Sequence, residues 1–147
     1  MNLTGEEQFA TQQRELWHRV TDLSAMAKRL PGLEDVARSE RKHLVCRVRP
    51  RLSFVSGTIR LAVELTHEVP PESARLRVQG KGIGTSLIIE TGILLSTVEG
   101  GTSLVWSSEV AETTGFLKAV SPSLLEAAAR RVIADVWQSL RDELETA

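Results

Sequence analysis

Residues 58–66 read Thr58-Ile59-Arg60-Leu61-Ala62-Val63-Glu64-Leu65-Thr66. Ile59, Leu61, Val63 and Leu65 alternate with Thr58, Arg60, Ala62, Glu64 and Thr66. Successive side chains of a strand point to opposite faces, so this is a strand with one apolar and one mostly polar face. The same period of two extends both ways. Upstream, Leu44, Cys46 and Val48 alternate with Val45, Arg47 and Arg49, after a polar turn at Ser39–Lys42. Downstream, Pro70-Pro71 ends the strand, because proline donates no ladder hydrogen bond. Ala74, Leu76 and Val78 then oppose Arg75, Arg77 and Gln79. Leu87, Ile89, Ile93 and Leu95 form the next apolar set, with Glu90 on the other face. Gly100-Gly101 marks a hairpin. Leu104, Trp106 and Val110 oppose Val105, Ser107 and Glu109. Gly80-Lys81-Gly82-Ile83-Gly84 reads as a turn. It lacks the helix N-terminus that a phosphate-binding glycine loop requires.

Helical spacing brackets this run. Residues 1–9 carry Leu3 and Phe9 and predict a first strand ending near Gly5–Glu7. From Gln12 onward, Leu16, Val20 and Leu23 recur at helical intervals beside Trp17. Asp22 caps a second short helix through Arg29, and Leu30-Pro31-Gly32 stops it. At the other end, Leu125, Ala129, Val132, Ile133, Val136, Trp137, Leu140 and Leu144 form one broad stripe. Ser121 with Pro122, or Ser123 with Glu126, starts this helix. Its last turn holds Asp142, Glu143 and Glu145, which oppose the helix dipole and predict fraying. The order is strand, two short helices, about six strands and one long helix. Hairpin-linked strands with one apolar face predict an α+β fold, a curled antiparallel sheet of about seven strands around the C-terminal helix.

Composition narrows the function. The chain has 147 residues, 41% hydrophobic and 25% charged, with a net charge of −1. That predicts a single domain over residues 1–147 and argues against a nucleic-acid-binding protein. One cysteine excludes an internal disulfide and a multi-cysteine metal site. No apolar run reaches membrane-spanning length, and an acidic start does not resemble a signal peptide, so a cytoplasmic protein is expected. His18, His43 and His67 lack metal-ligand spacing, so no metal is expected. Cys46 reads as a buried apolar filler. Thr91, Ser108 and Cys46 are the inward polar residues, without a recognisable catalytic partner. Residues 38–81 hold ten basic and four acidic residues, +6, leaving −7 for the rest. If the strands are neighbours, Arg47, Arg49, Arg60, Arg75 and Arg77 share the outer sheet face. That face is either solvated and paired with Glu64 and Glu90, or a docking surface for an acidic protein or anionic membrane.

The order of elements resembles the helix-grip layout of the START-like (SRPBCC) superfamily. Met1–Glu6, Leu16-Trp17, Leu30–Val36, Pro70-Pro71, Leu76-Arg77-Val78, Gly80-Lys81-Gly82, Gly100–Leu104 and Gly115-Phe116-Leu117 are similar to the G-subunit family of carbon monoxide dehydrogenase. The resemblance covers roughly residues 1 to 140. Many relatives continue into a linker and a membrane tail; this sequence stops at Ala147, so anchoring is not carried over. Where relatives carry a Phe-Phe pair, this helix has Val136-Trp137. The resemblance implies a cavity between sheet and long helix that holds a lipophilic, quinone- or lipid-like molecule. Leu61, Val63, Leu76, Val78, Ile89, Ile93, Leu104, Trp106, Val136 and Trp137 are its candidate lining. Phe116 and Leu117 are candidates for its mouth. It implies no catalytic residues, no cofactor, and an accessory role beside a molybdenum-dependent dehydrogenase. The alternatives are a module docking a protein or membrane through the basic face, and an enzyme like the polyketide cyclases.

Overall fold

The computed structural model describes residues 1–52 and 56–146. In chain order it contains β1 (Asn2–Phe9), α1 (Gln13–Val20), α2 (Leu23–Met26), a 3-10 turn (Ala27–Arg29) and β2 (Leu33–Ser39). Then follow β3 (His43–Val48), β4 (Ile59–Val69), β5 (Ser73–Gly82), β6 (Thr85–Val98) and β7 (Gly101–Gly115). A second 3-10 turn (Phe116–Ala119) leads into α3 (Pro122–Thr146). The strands form one antiparallel seven-stranded sheet in the order β1-β7-β6-β5-β4-β3-β2. Consecutive strands from β2 to β7 pair as neighbours, and β1 joins β7 at the far edge. This is the curled sheet and long C-terminal helix that the alternation predicted.

Register carries the inward residues onto one face. Cys46 pairs with Leu61, Leu61 with Gly80, and Gly80 with Leu87. Val63, Val78, Ile89 and Val110 form the next row, and Leu65, Leu76, Thr91 and Ser108 the one after. At one end this face is closed. Leu44, Val63, Ile93, Leu95 and Leu104 are buried there with Leu16 and Trp17 of α1, Leu23 of α2 and Leu140 of α3.

Three local expectations change. β1 runs through Phe9 rather than stopping near Gly5–Glu7, because its whole length pairs with β7. Gly5 is required there. A Cβ on it would lie 2.5 Å from Cζ2 of Trp106, whose indole covers the strand. Gly80 and Gly82 are strand residues, and the turn is only Ile83-Gly84. Both turn residues have positive φ, 56° and 65°, as a two-residue hairpin with right-handed twist demands. α3 stays helical to Thr146, where the charge pattern predicted fraying. Glu143 is held by Arg29, Lys28 and Arg19 from the α1–α2 segment. Ser121 starts this helix, its Oγ accepting from the Leu124 N–H at 3.4 Å.

Candidate functional site

α3 is fixed to the sheet by its second half. Arg29 donates to both Glu143 oxygens, at 2.6 and 3.3 Å, and to the Arg19 carbonyl at 3.1 Å. Arg29's guanidinium holds the Glu143 carboxyl below the usual carboxylate range, with Lys28 adding to it. Arg141 lies 4.7 Å over the Phe9 ring and donates to Glu7 and to the Gln8 carbonyl. Trp137 meets Phe9 edge to face, with centroids 6.3 Å apart. Its indole N–H is enclosed and has no acceptor among the described residues. Arg130 donates to the Thr4 carbonyl, so two arginines cover the open edge of β1.

The first half of α3 is packed less deeply. Leu125, Ala128, Ala129, Val132, Ile133 and Val136 are half-buried, and Leu124 is exposed. The closest packing of the helix is against β1 and the Ala27–Arg29 turn. Away from those two elements, Leu61, Leu76, Val78, Leu87, Ile89 and Val110 on the inner face are only half-buried. An apolar strip of β4 to β7 therefore stays within reach of solvent on the concave side of the sheet.

The predicted lining residues divide along this gradient. Val63, Ile93, Leu104 and Trp106 belong to the packed core. Leu61, Leu76, Val78 and Ile89 lie in the half-buried strip, and Val136 and Trp137 are half-buried on α3. Phe116 is 43% exposed and Leu117 half-buried in the turn before α3. That turn packs on the β5–β6 hairpin, through Phe116 N–H to the Gly84 carbonyl at 3.1 Å.

Two hydroxyls interrupt the strip. Thr91 and Ser108 are directly opposite on β6 and β7, half-buried, with their oxygens 2.9 Å apart. The sequence placed both inward, but only the register shows that they meet. Cys46 is fully buried, and burial pushes its thiol above the ordinary value. The three histidines stay apart. His18 and His67 are exposed, and His43 sits 3.6 Å from Glu64. No group of three His, Cys, Asp or Glu among the described residues is placed to hold a metal ion.

On the outer face the arginines do gather. Arg47 pairs in register with Arg60, and Arg60 with Lys81. Arg77 reaches Glu90 at 3.6 Å, as expected. Arg47 bonds to Asp35 and Arg49 approaches Glu34 at 3.7 Å, partners on β2 that the alternation did not reveal. Among the described residues, Arg60, Arg75 and Lys81 have no carboxylate within 4.0 Å. A shallow groove of about 470 Å³ between β2 and β4 is lined by Asp35, Val36, Arg47 and Arg60. A second, of about 340 Å³, lies on the same outer face around Arg75, Leu94 and Val105.

Residues 5–145 match the family model for CoxG, the G subunit of carbon monoxide dehydrogenase. No curated protein matches the sequence. Among solved structures, a conserved protein from Geobacillus kaustophilus is similar, with a TM-score of 0.90 and 21% identity, over 99% of this chain and 96% of that one. A protein from Mycobacterium smegmatis gives a TM-score of 0.73 at 13% identity, over 99% and 91%. A protein of the dynemicin biosynthetic locus gives 0.61 at 17% identity, over 99% of this chain and 47% of that one. At these identities the likenesses show a shared helix-grip-like fold. No described helix is long and apolar enough to cross a membrane.

Proposed function

Because the chain belongs to the CoxG family of carbon monoxide dehydrogenase, we propose that it binds a lipophilic small molecule between the inner sheet face and α3, without transforming it. The observation that carries this reading is the half-buried strip of Leu61, Leu76, Val78, Leu87, Ile89 and Val110 on the inner face of β4 to β7. Aliphatic side chains left within reach of water on a concave face gain about 25 cal/mol per Å² when an apolar ligand covers them. Phe116 and Leu117 border the mouth. The ligand is quinone- or lipid-like, and the protein acts in the cytoplasm as an accessory to a dehydrogenase.

Freshly purified protein, analysed by native mass spectrometry and organic extraction, should carry such a molecule or take up decyl-benzoquinone. An Ile89→Trp variant, which fills the strip, should lose that uptake while remaining folded. Absence of both cargo and uptake in the unmodified protein removes the reading.

A second reading concerns the partner. Arg60 and Lys81 pair in register next to Arg47, with no carboxylate within 4.0 Å of either among the described residues. Like charges directly opposite on a sheet repel, and an acidic protein surface would relieve that. The double variant Arg60→Glu/Lys81→Glu should abolish capture of a carbon monoxide dehydrogenase; unchanged capture refutes the docking role.

A further inference from the structure

The Thr91–Ser108 pair says what kind of lipophile the strip is built for. The two hydroxyls hydrogen-bond to each other at 2.9 Å, and either can be the donor. Each hydroxyl carries one hydrogen and two lone pairs. Whichever donates, the other keeps its hydrogen, and no described residue accepts it. Cross-strand neighbours of the pair are Leu3 and Leu76. Along the strands, Ile89, Ile93, Trp106 and Val110 flank it on the same face. The spare donor therefore sits in apolar surroundings and remains half-buried. Nearby charge is already committed. Arg130, which reaches the Thr4 carbonyl beside Leu3, bonds Glu126 at 3.4 Å, and Arg141, further along the inner face, bonds Glu7 at 3.1 Å.

We infer that this pair recognises a neutral lipophile through an acceptor oxygen, a carbonyl or ether, held in the apolar strip. The inference rests on the lipophile-binding reading above and specifies its ligand. A carboxylate or phosphate in the same place would be desolvated while the nearest described cations, Arg130 and Arg141, are already paired with Glu126 and Glu7. A pure hydrocarbon would leave the spare hydroxyl unsatisfied, because its water would be displaced without replacement. The ligand thus enters with its neutral polar group first, and its apolar remainder lies against Leu76, Val78 and Ile89.

Three probes of one shape test this: 2-acetylnaphthalene, 2-ethylnaphthalene and 2-naphthoate, titrated by fluorescence against delipidated protein. The acetyl compound should bind about 5- to 10-fold more tightly than the ethyl compound, the range of one net hydrogen bond, and the naphthoate most weakly. In Thr91→Val/Ser108→Ala the preference should fall below about 2-fold, while Thr91→Ser keeps it. Equal binding of acetyl and ethyl probes by the unmodified protein, or tightest binding of the anion, overturns the inference and leaves the lipophile reading standing. A preference that persists in the folded double variant also overturns it. Binding of none of the three removes both.

Discussion

Glu143→Gln tests the anchoring of α3 by a single, nearly isosteric change. Arg29 is almost enclosed, its side chain 4% exposed, and Glu143 is 19% exposed. The variant leaves the guanidinium with the Arg19 carbonyl and a neutral amide in place of two charge-assisted bonds. A hydrogen bond to a charged group contributes about 1.5–3 kcal/mol, and breaking a fully buried pair costs about 3–5. Partial exposure and the remaining carbonyl place the cost at about 2–3 kcal/mol. For a domain of this size that lowers Tm by roughly 5–10 °C. The pH dependence gives the sharper test. Because the folded carboxyl titrates below its ordinary value, its contribution is complete above about 4.5 and fades as the pH falls through the depressed folded value. Urea melts should separate wild type and variant more widely at pH 7 than near pH 3. An equal gap at both pH values would refute the ion-pair account and point to lost packing instead.

Other consequences are open to simpler measurements. Gly5→Ala puts a Cβ 2.5 Å from the Trp106 ring, so the indole must move. We expect a loss of about 1–3 kcal/mol and a red-shifted emission; an unchanged melt and spectrum would contradict the packing. Lys81→Gln removes one of two cations paired across β4 and β5 and should stabilise by roughly 0.2–1 kcal/mol at low salt, an effect vanishing near 1 M salt. A gain that ignores salt would show that the repulsion is not the cause. Cys46 is buried with its thiol pushed up, so it should react with a disulfide reagent at pH 8 only as fast as the sheet opens. Fast modification of the native protein would contradict that burial.

Periodicity made the sheet legible because a strand's two faces are written into alternate residues. That Cys46, Leu61 and Leu87 face inward follows from that rule, and the stripe from Leu125 to Leu144 from its helical counterpart. What the rule cannot show is which side chains of different elements meet. Gly5-Glu6-Glu7 reads as a strand end by local propensity, yet pairing with β7 carries β1 to Phe9. The acidic end of α3 reads as unstable until Arg29 and Lys28, over a hundred residues earlier, are placed beside it. Among the candidate lining residues, alternation separates inward from outward. It does not separate Ile93 and Leu104, sealed in the core, from Val78 and Ile89 in the strip. That distinction depends on where α3 lies, as does the meaning of the Thr91–Ser108 pair.

The pairing of β1 with β7 also sets the order of assembly. Phe9 meets Thr102 and Asn2 meets Glu109, so the first strand made is completed by the last. At about 5–20 residues per second, a ribosome leaves β1 without its partner for roughly 5–20 s after it emerges. Contacts this distant in sequence close late, and they slow folding. During synthesis the hairpins from β2 to β6 can form in sequence, each beside its predecessor, while Leu3 and Phe9 wait exposed. The N-terminal strand is therefore an apolar segment that stays unpaired until β7 is made.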